Sequence, residues 1–94
     1  MVVVAPSWNL DVAGAQRLEE VIEPLDGAVL VDLSGVAFVA SSGLRVLLKH
    51  AQRLKSAAGA LRLCGANDTV NDVFRMSGFD SIIEIYGECE DVQG

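Results

Sequence analysis

The sequence predicts an α/β fold: a single small domain with a mostly parallel sheet of four to five strands and about three helices. Three observations predict it. Short apolar, β-branched runs alternate along the chain with stretches whose apolar residues recur three or four apart. Such alternation over short intervals makes βαβ units, and right-handed crossovers then give parallel strands. A length of 94 residues, 51 % of them hydrophobic, supplies one packed core and leaves no room for a second domain.

Residues 2–5, VVVA, are a short β-branched run closed by Pro6, which suits an edge strand because proline ends a hydrogen-bond ladder. Asp11 can cap a first helix on which Val12, Ala15, Leu18 and Ile22 form one apolar stripe, and Pro24 and Gly27 stop it. Residues 28–33, AVLVDL, are almost continuously apolar, as expected of a strand buried on both faces at the centre of the sheet. Phe38 and Val39 lead into Ala40-Ser41-Ser42-Gly43, after which Leu44, Leu47, Leu48, Ala51 and Leu54 repeat at helical spacing. Arg45, Lys49, Gln52 and Arg53 make the polar face of this second helix, and Ala58-Gly59 ends it with glycine as the expected cap.

Residues 60–64 read as a further short strand. Asn67 or Asp68 can cap a third helix that buries Val70, Val73 and Phe74 and ends at Gly78; Met76 and Phe79 flank that end as core anchors. Residues 82–86, IIEIY, make the last strand, and the remaining GECEDVQG is an acidic, frayed tail from about residue 87.

Composition excludes several functions. Thirteen acidic against seven basic residues give a net charge of −6, which repels phosphate backbones and anionic membrane surfaces, so no nucleic-acid partner is expected. No apolar run approaches the ~20 residues that cross a bilayer, and MVVVAPSW lacks the basic start of a signal peptide. The expected location is the cytoplasm, where Cys64 and Cys89 would stay reduced. The two cysteines and the lone His50 have no metal-ligand spacing, and no glycine pattern of a nucleotide site is present, so neither metal nor cofactor is expected. Ser41 has no His-Asp partners in sequence, and His50, read as a surface residue, lies too far along the helix to reach it. Catalysis is therefore not expected.

What remains is residues 32–48, where a buried strand and a short connection deliver Ser41 and Ser42 to the mouth of an amphipathic helix. On composition alone either serine is simply an N-cap, the commonest use of serine there. A phosphate at the same place would meet unpaired amides and the positive end of the helix dipole, worth roughly 0.3–1 kcal/mol at an exposed site. It would also add about −1.5 to −2 charges to a surface that otherwise packs neutrally.

The segment VDLSGVAFVASSGLRVLL resembles the STAS domain family, in particular its bacterial anti-sigma-factor antagonists, in which an apolar strand ending in D-L-S leads to D-S-S-G-L or D-S-T-G-L at a helix start. Asn9-Leu10-Asp11 is similar to the family's G-x-L-D segment, and VNDVFRMSGFDSIIEIY to its closing segment. The resemblance implies one STAS-like domain over residues 1–94 that is not an enzyme. It implies binding to an anti-sigma factor that is also a serine kinase, release on phosphorylation of Ser41, and reversal by a phosphatase. Asp11, Ser42 and Gly43 would contribute to the partner-binding surface. Two departures are plain: Ala40 stands where the family usually has aspartate, and only residues 2–5 are available as a strand before the first helix, where the family usually has a strand pair. Ala40 favours an alternative, a STAS adaptor without regulated phosphorylation, such as a subunit of a lipid-transport ATPase or of another signalling complex. The marginal stability of so small a domain also leaves room for an oligomer.

Overall fold

The computed structural model describes residues 1–92 of the chain. Its elements run β1 (Val2–Val4), α1 (Val12–Ile22), β2 (Ala28–Asp32), α2 (Ser41–Ser56), β3 (Ala60–Cys64), α3 (Asp68–Met76) and β4 (Glu84–Tyr86), with 3₁₀ turns at Phe79–Ser81 and Cys89–Asp91. The four strands are parallel and lie in sequence order, β1-β2-β3-β4. Consecutive right-handed crossovers place successive helices on the same face, and α1 and α2 pack against each other there.

Period-two alternation sorts the strand residues. Val4, Val29, Val31, Leu61 and Leu63 face the helices and share one core with Ala15, Leu18, Ile22, Leu47, Leu54, Val70 and Phe74. On the opposite face the register aligns Val3, Leu30, Arg62 and Glu84 in one row. Arg62 Nε donates to Glu84 Oε2 at 2.9 Å and the Tyr86 hydroxyl donates to the same oxygen at 2.8 Å, so that row closes on an ionic ladder.

Several local expectations are corrected. Val12 is 74 % exposed and does not join the α1 stripe; Leu10, just before the cap, is fully buried and takes the core position in its place. The last strand is shorter than IIEIY because the amides of Ile82 and Ile83 both bond the Phe79 carbonyl in a turn. Phe79 is buried against Phe74, ring centroids 5.6 Å apart, whereas Met76 is 88 % exposed. The chain leaves α2 through Ala58, whose φ of +63° is left-handed, so alanine occupies the conformation expected of a glycine. Asn67 caps α3, accepting from the Val70 amide at 2.8 Å.

Candidate functional site

The carboxyl edge of the sheet gathers the three loops that lead from strand to helix, and polar contacts stitch them together. The Leu10 amide donates to the Phe38 carbonyl at 3.0 Å and the Ala40 amide donates to the Leu10 carbonyl at 2.9 Å, a parallel bridge between Leu10 and Val39. Asn9 Oδ1 accepts from the Ala37 amide at 2.9 Å. From the third loop, Asn67 Nδ2 donates to the carbonyls of Val36 and Ala37 at 3.4 and 3.3 Å. The segment before Ser41 is thereby held from both sides, and the N-termini of α1 and α2 are brought together.

Each residue singled out in the sequence has a definite place in this arrangement. Asp11 is exposed and caps α1, its Oδ1 accepting from the Gly14 amide at 2.8 Å. Ser41 is exposed as the first residue of α2. Neither serine is the cap: that position is Ala40, extended at φ −88° and ψ 172°, with no side chain to offer. The first turn of α2 holds no acidic residue, so nothing on the helix itself neutralises the positive end of its dipole. Ser42 is half-buried, with an Oγ that is sealed from solvent and has no partner. It lines a groove of about 400 Å³ between α1 and α2, with Val12, Ala15, Glu19, Arg45 and Val46. Gly43 is buried, and the close backbone approach expected there is made by Leu10 of the same chain: a Cβ on Gly43 would lie 2.9 Å from the Leu10 carbonyl oxygen.

Three residues that sequence reasoning did not assign to a site lie on the same loops and helix start. Phe38 is 50 % exposed just ahead of Ser41, Val12 follows Asp11 as an exposed apolar residue, and Trp8 sits under the Arg17 guanidinium, 3.9 Å from its centroid. Trp8 Nε1 donates to the Gly14 carbonyl at 3.0 Å, which pins its ring to α1. Periodicity marks apolar residues as core, so an exposed Phe38 or Val12 carries no separate signal in one sequence.

At the far end of the α1–α2 seam a charged network locks the helices together. His50, expected at the surface, is 1 % exposed, because Leu47, His50 and Leu54 share the inward face of α2. Its Nδ1 accepts from Arg53 Nε at 3.0 Å, while its buried Nε2 lies 3.7 Å from Glu19 Oε1. Burial first, and then the Arg53 charge, hold the imidazole below its ordinary pKa, so it is neutral at pH 7. Lys49 bonds Glu19 and holds that carboxyl below its usual range. Arg53 Nη2 also donates to the carbonyls of Ile22 and Leu25 at 3.2 and 3.0 Å, satisfying the end of α1.

The cysteines require a further correction. Cys64 and Cys89, expected as free thiols, form a disulfide, and the acidic segment read as a frayed tail is tethered by it. Asp32 comes within 4.8 Å of both sulfurs, a grouping invisible in the linear spacing, but the disulfide leaves no thiolate for a cation. Among the described residues no helix is long and apolar enough to cross a membrane. Gln93 and Gly94, the end of the acidic tail, lie outside the described residues.

The family model for the STAS domain matches residues 1–92 of this chain with its parallel four-stranded sheet, and the chain belongs to that family. Over 82 residues it is 37 % identical to BtrV of Bordetella bronchiseptica, provisionally designated an anti-sigma factor antagonist, covering 83 % of this chain and 71 % of that protein. Two solved structures share the fold. One is a provisionally designated anti-sigma factor antagonist from Thermotoga maritima, with a TM-score of 0.88 at 20 % identity, covering 95 % of this chain and 80 % of that one. The other is the anti-sigma factor antagonist SpoIIAA in its unphosphorylated form, with a TM-score of 0.77 at 22 % identity, covering 94 % and 81 %.

Proposed function

We propose that this chain is an anti-sigma-factor antagonist that acts by binding an anti-sigma serine kinase across the carboxyl edge of its sheet, without turnover of its own, and that phosphorylation of Ser41 releases it. The observation that carries the reading is the setting of Ser41: exposed, first in α2, and held by the Leu10–Val39 bridge beside the exposed Asp11. Phe38 and Val12 offer that edge apolar area for a partner to cover. A phosphate there adds about −1.5 to −2 charges next to the Asp11 carboxylate, so a partner that packed against a bare hydroxyl must now desolvate or repel a dianion. The uncompensated N-terminus of α2 stabilises the phosphorylated form on this side of the interface.

Asp11 is the polar contact expected of the neighbouring loop. Ser42 lines the groove, and Gly43 serves the same surface from below by letting α2 settle onto Leu10. The curated relative at 37 % identity supports the antagonist reading. Ala40 is the one feature that favours the second reading, an adaptor that keeps the surface without the modification, since a carboxylate beside the target hydroxyl is missing.

The test is incubation with the anti-sigma kinase of the source genome and ATP. One phosphate should enter wild type and the Ser42→Ala variant, and none should enter Ser41→Ala. Ser41→Asp should weaken kinase binding at least about tenfold, roughly 1.4 kcal/mol. Labelling of Ser41→Ala equal to wild type, or undiminished binding by Ser41→Asp, would refute the switch; the second result together with no labelling of wild type identifies the adaptor.

A further inference from the structure

We propose that Cys64 and Cys89 are a reversible redox pair whose disulfide fastens the acidic segment 87–92 to the carboxyl edge of the sheet, beneath the loop that leads to Ser41. The two sulfurs differ in access. Cys64 ends β3 and is fully buried, whereas Cys89 is half-exposed in a 3₁₀ turn that buries none of its residues. Among the described residues, the hydrogen bonds of segment 87–92 are internal to it, from the Asp91 amide to the Glu88 carbonyl and from the Val92 amide to the Cys89 carbonyl. Beyond the chain itself, the covalent bond is therefore the tether the structure provides.

The anchor is also wired to the loop above. The Cys64 carbonyl accepts from the Leu33 amide at 2.8 Å, at the point where the chain leaves β2 for α2. Three residues further on, Asn67 holds the carbonyls of Val36 and Ala37. A Cβ on the intervening Gly65 would stand 3.2 Å from Cys89 Sγ and 2.6 Å from Ser34 Oγ, so the disulfide and the start of the Ser41 loop are separated by one glycine. Closing the bond holds Glu88, Glu90 and Asp91 against this edge; opening it frees them.

The chemistry is exchange with a low-molecular-weight disulfide such as oxidised glutathione. The accessible Cys89 thiolate attacks one sulfur of the reagent, forming a mixed disulfide and expelling one thiolate. The Cys64 thiolate then attacks Cys89 Sγ, forming the internal bond and expelling the second. The protein loses two electrons and two protons, and the reagent becomes two thiols. Reduction by a small thiol runs the same steps backwards. Disulfides that persist only under some redox conditions are usually sensing elements, and half-exposure of one sulfur is what such a pair needs.

The proposal stands apart from the antagonist reading, because neither readout below involves a partner. The full chain is equilibrated in glutathione buffers of increasing oxidised fraction, quenched with maleimide in denaturant so that the buried Cys64 is also reached, and weighed intact. Monomers carrying either two labels or none are expected, interconverting as the ratio changes. Two labels at every ratio, no labels at every ratio, or disulfide-linked dimers would overturn it. Glutamyl endopeptidase, which cuts after Glu88 and Glu90, then reports the fastening: cleavage should be about tenfold or more faster in the reduced protein, as for a segment released to local unfolding. The Cys89→Ser variant, which leaves the core cysteine in place, should be cut in oxidising buffer as fast as the reduced wild-type protein. Equal cleavage of oxidised and reduced wild type would show that the bond fastens nothing.

Discussion

Replacing Gly43 by alanine should destabilise the protein, although helix propensity alone argues the opposite. Alanine in place of glycine within a helix gains up to about 1 kcal/mol. At Gly43, however, the added Cβ would lie 2.9 Å from both Cβ and the carbonyl oxygen of Leu10 and 3.1 Å from Val39 Cγ1, where ordinary contacts run 3.4–4 Å. None of these neighbours is free to yield. Leu10 is completely buried, its carbonyl is held by the Ala40 amide at 2.9 Å, and Val39 is the other half of the same bridge. Overpacking of this kind costs about 1–3 kcal/mol, so after deduction of the propensity gain the net loss should be about 1 kcal/mol and at most about 2 kcal/mol. For a domain of this size a loss of about 1 kcal/mol lowers Tm by roughly 4–8 °C.

Urea unfolding followed by far-UV circular dichroism measures it, with an unchanged slope showing that stability and not compactness has moved. Gly87→Ala is the control: its Cβ meets nothing within 4 Å, and the change should stay within about 0.5 kcal/mol of wild type. A Gly43→Ala protein as stable as wild type, or more stable, would refute the view that α2 is seated against Leu10 at contact distance. It would also remove the reason for Asp11 and Ser41 to keep a fixed spacing.

Other outcomes follow from the same structure. His50 has a depressed pKa in the folded state, through burial and then Arg53, with Glu19 and Glu23 opposing and Lys49 adding to the shift. The unfolded chain therefore binds a proton near pH 6.5 that the native state refuses, and stability should fall as pH drops below that value, by at most about 1.4 kcal/mol per unit. His50→Gln should abolish this slope in chemical-denaturation titrations between about pH 7 and 5.5, above the range in which the Glu19 and Glu84 carboxyls, both lowered in the folded state, lose their contribution. Reducing the disulfide, which joins residues 25 apart, should lower unfolding stability by about 1–3.5 kcal/mol on the chain-entropy model, the lower figures applying as the released segment regains freedom; an unchanged urea midpoint would contradict it. Ala58→Gly should stabilise by about 0.5–1 kcal/mol, because it relieves a left-handed alanine at φ +63° after deduction of glycine's larger unfolded-state entropy; calorimetry would show it as a rise in Tm.

What could be read from one dimension divides along the range of the forces involved. The four strands, three helices, and the caps at Asp11 and Asn67 rest on contacts within a few residues, and they stand at or near their expected places. His50 was within reach of the same reasoning, since Leu47, His50 and Leu54 are spaced three and four apart on one face, but its polarity outweighed its position. The disulfide was not. Cys89 reaches Cys64 only because β4 lies beside β3 with Tyr86 opposite Cys64, a register set by the whole sheet. Ser41 combines both cases: local pattern placed it at a helix mouth, and it is the Leu10–Val39 bridge, formed between loops some thirty residues apart, that sets it beside Asp11. Had Ala40 been a serine or aspartate, its side chain could have capped α2 and met one of the free amides of the first turn. With alanine there, those amides and the positive end of the helix are left for whatever Ser41 comes to carry.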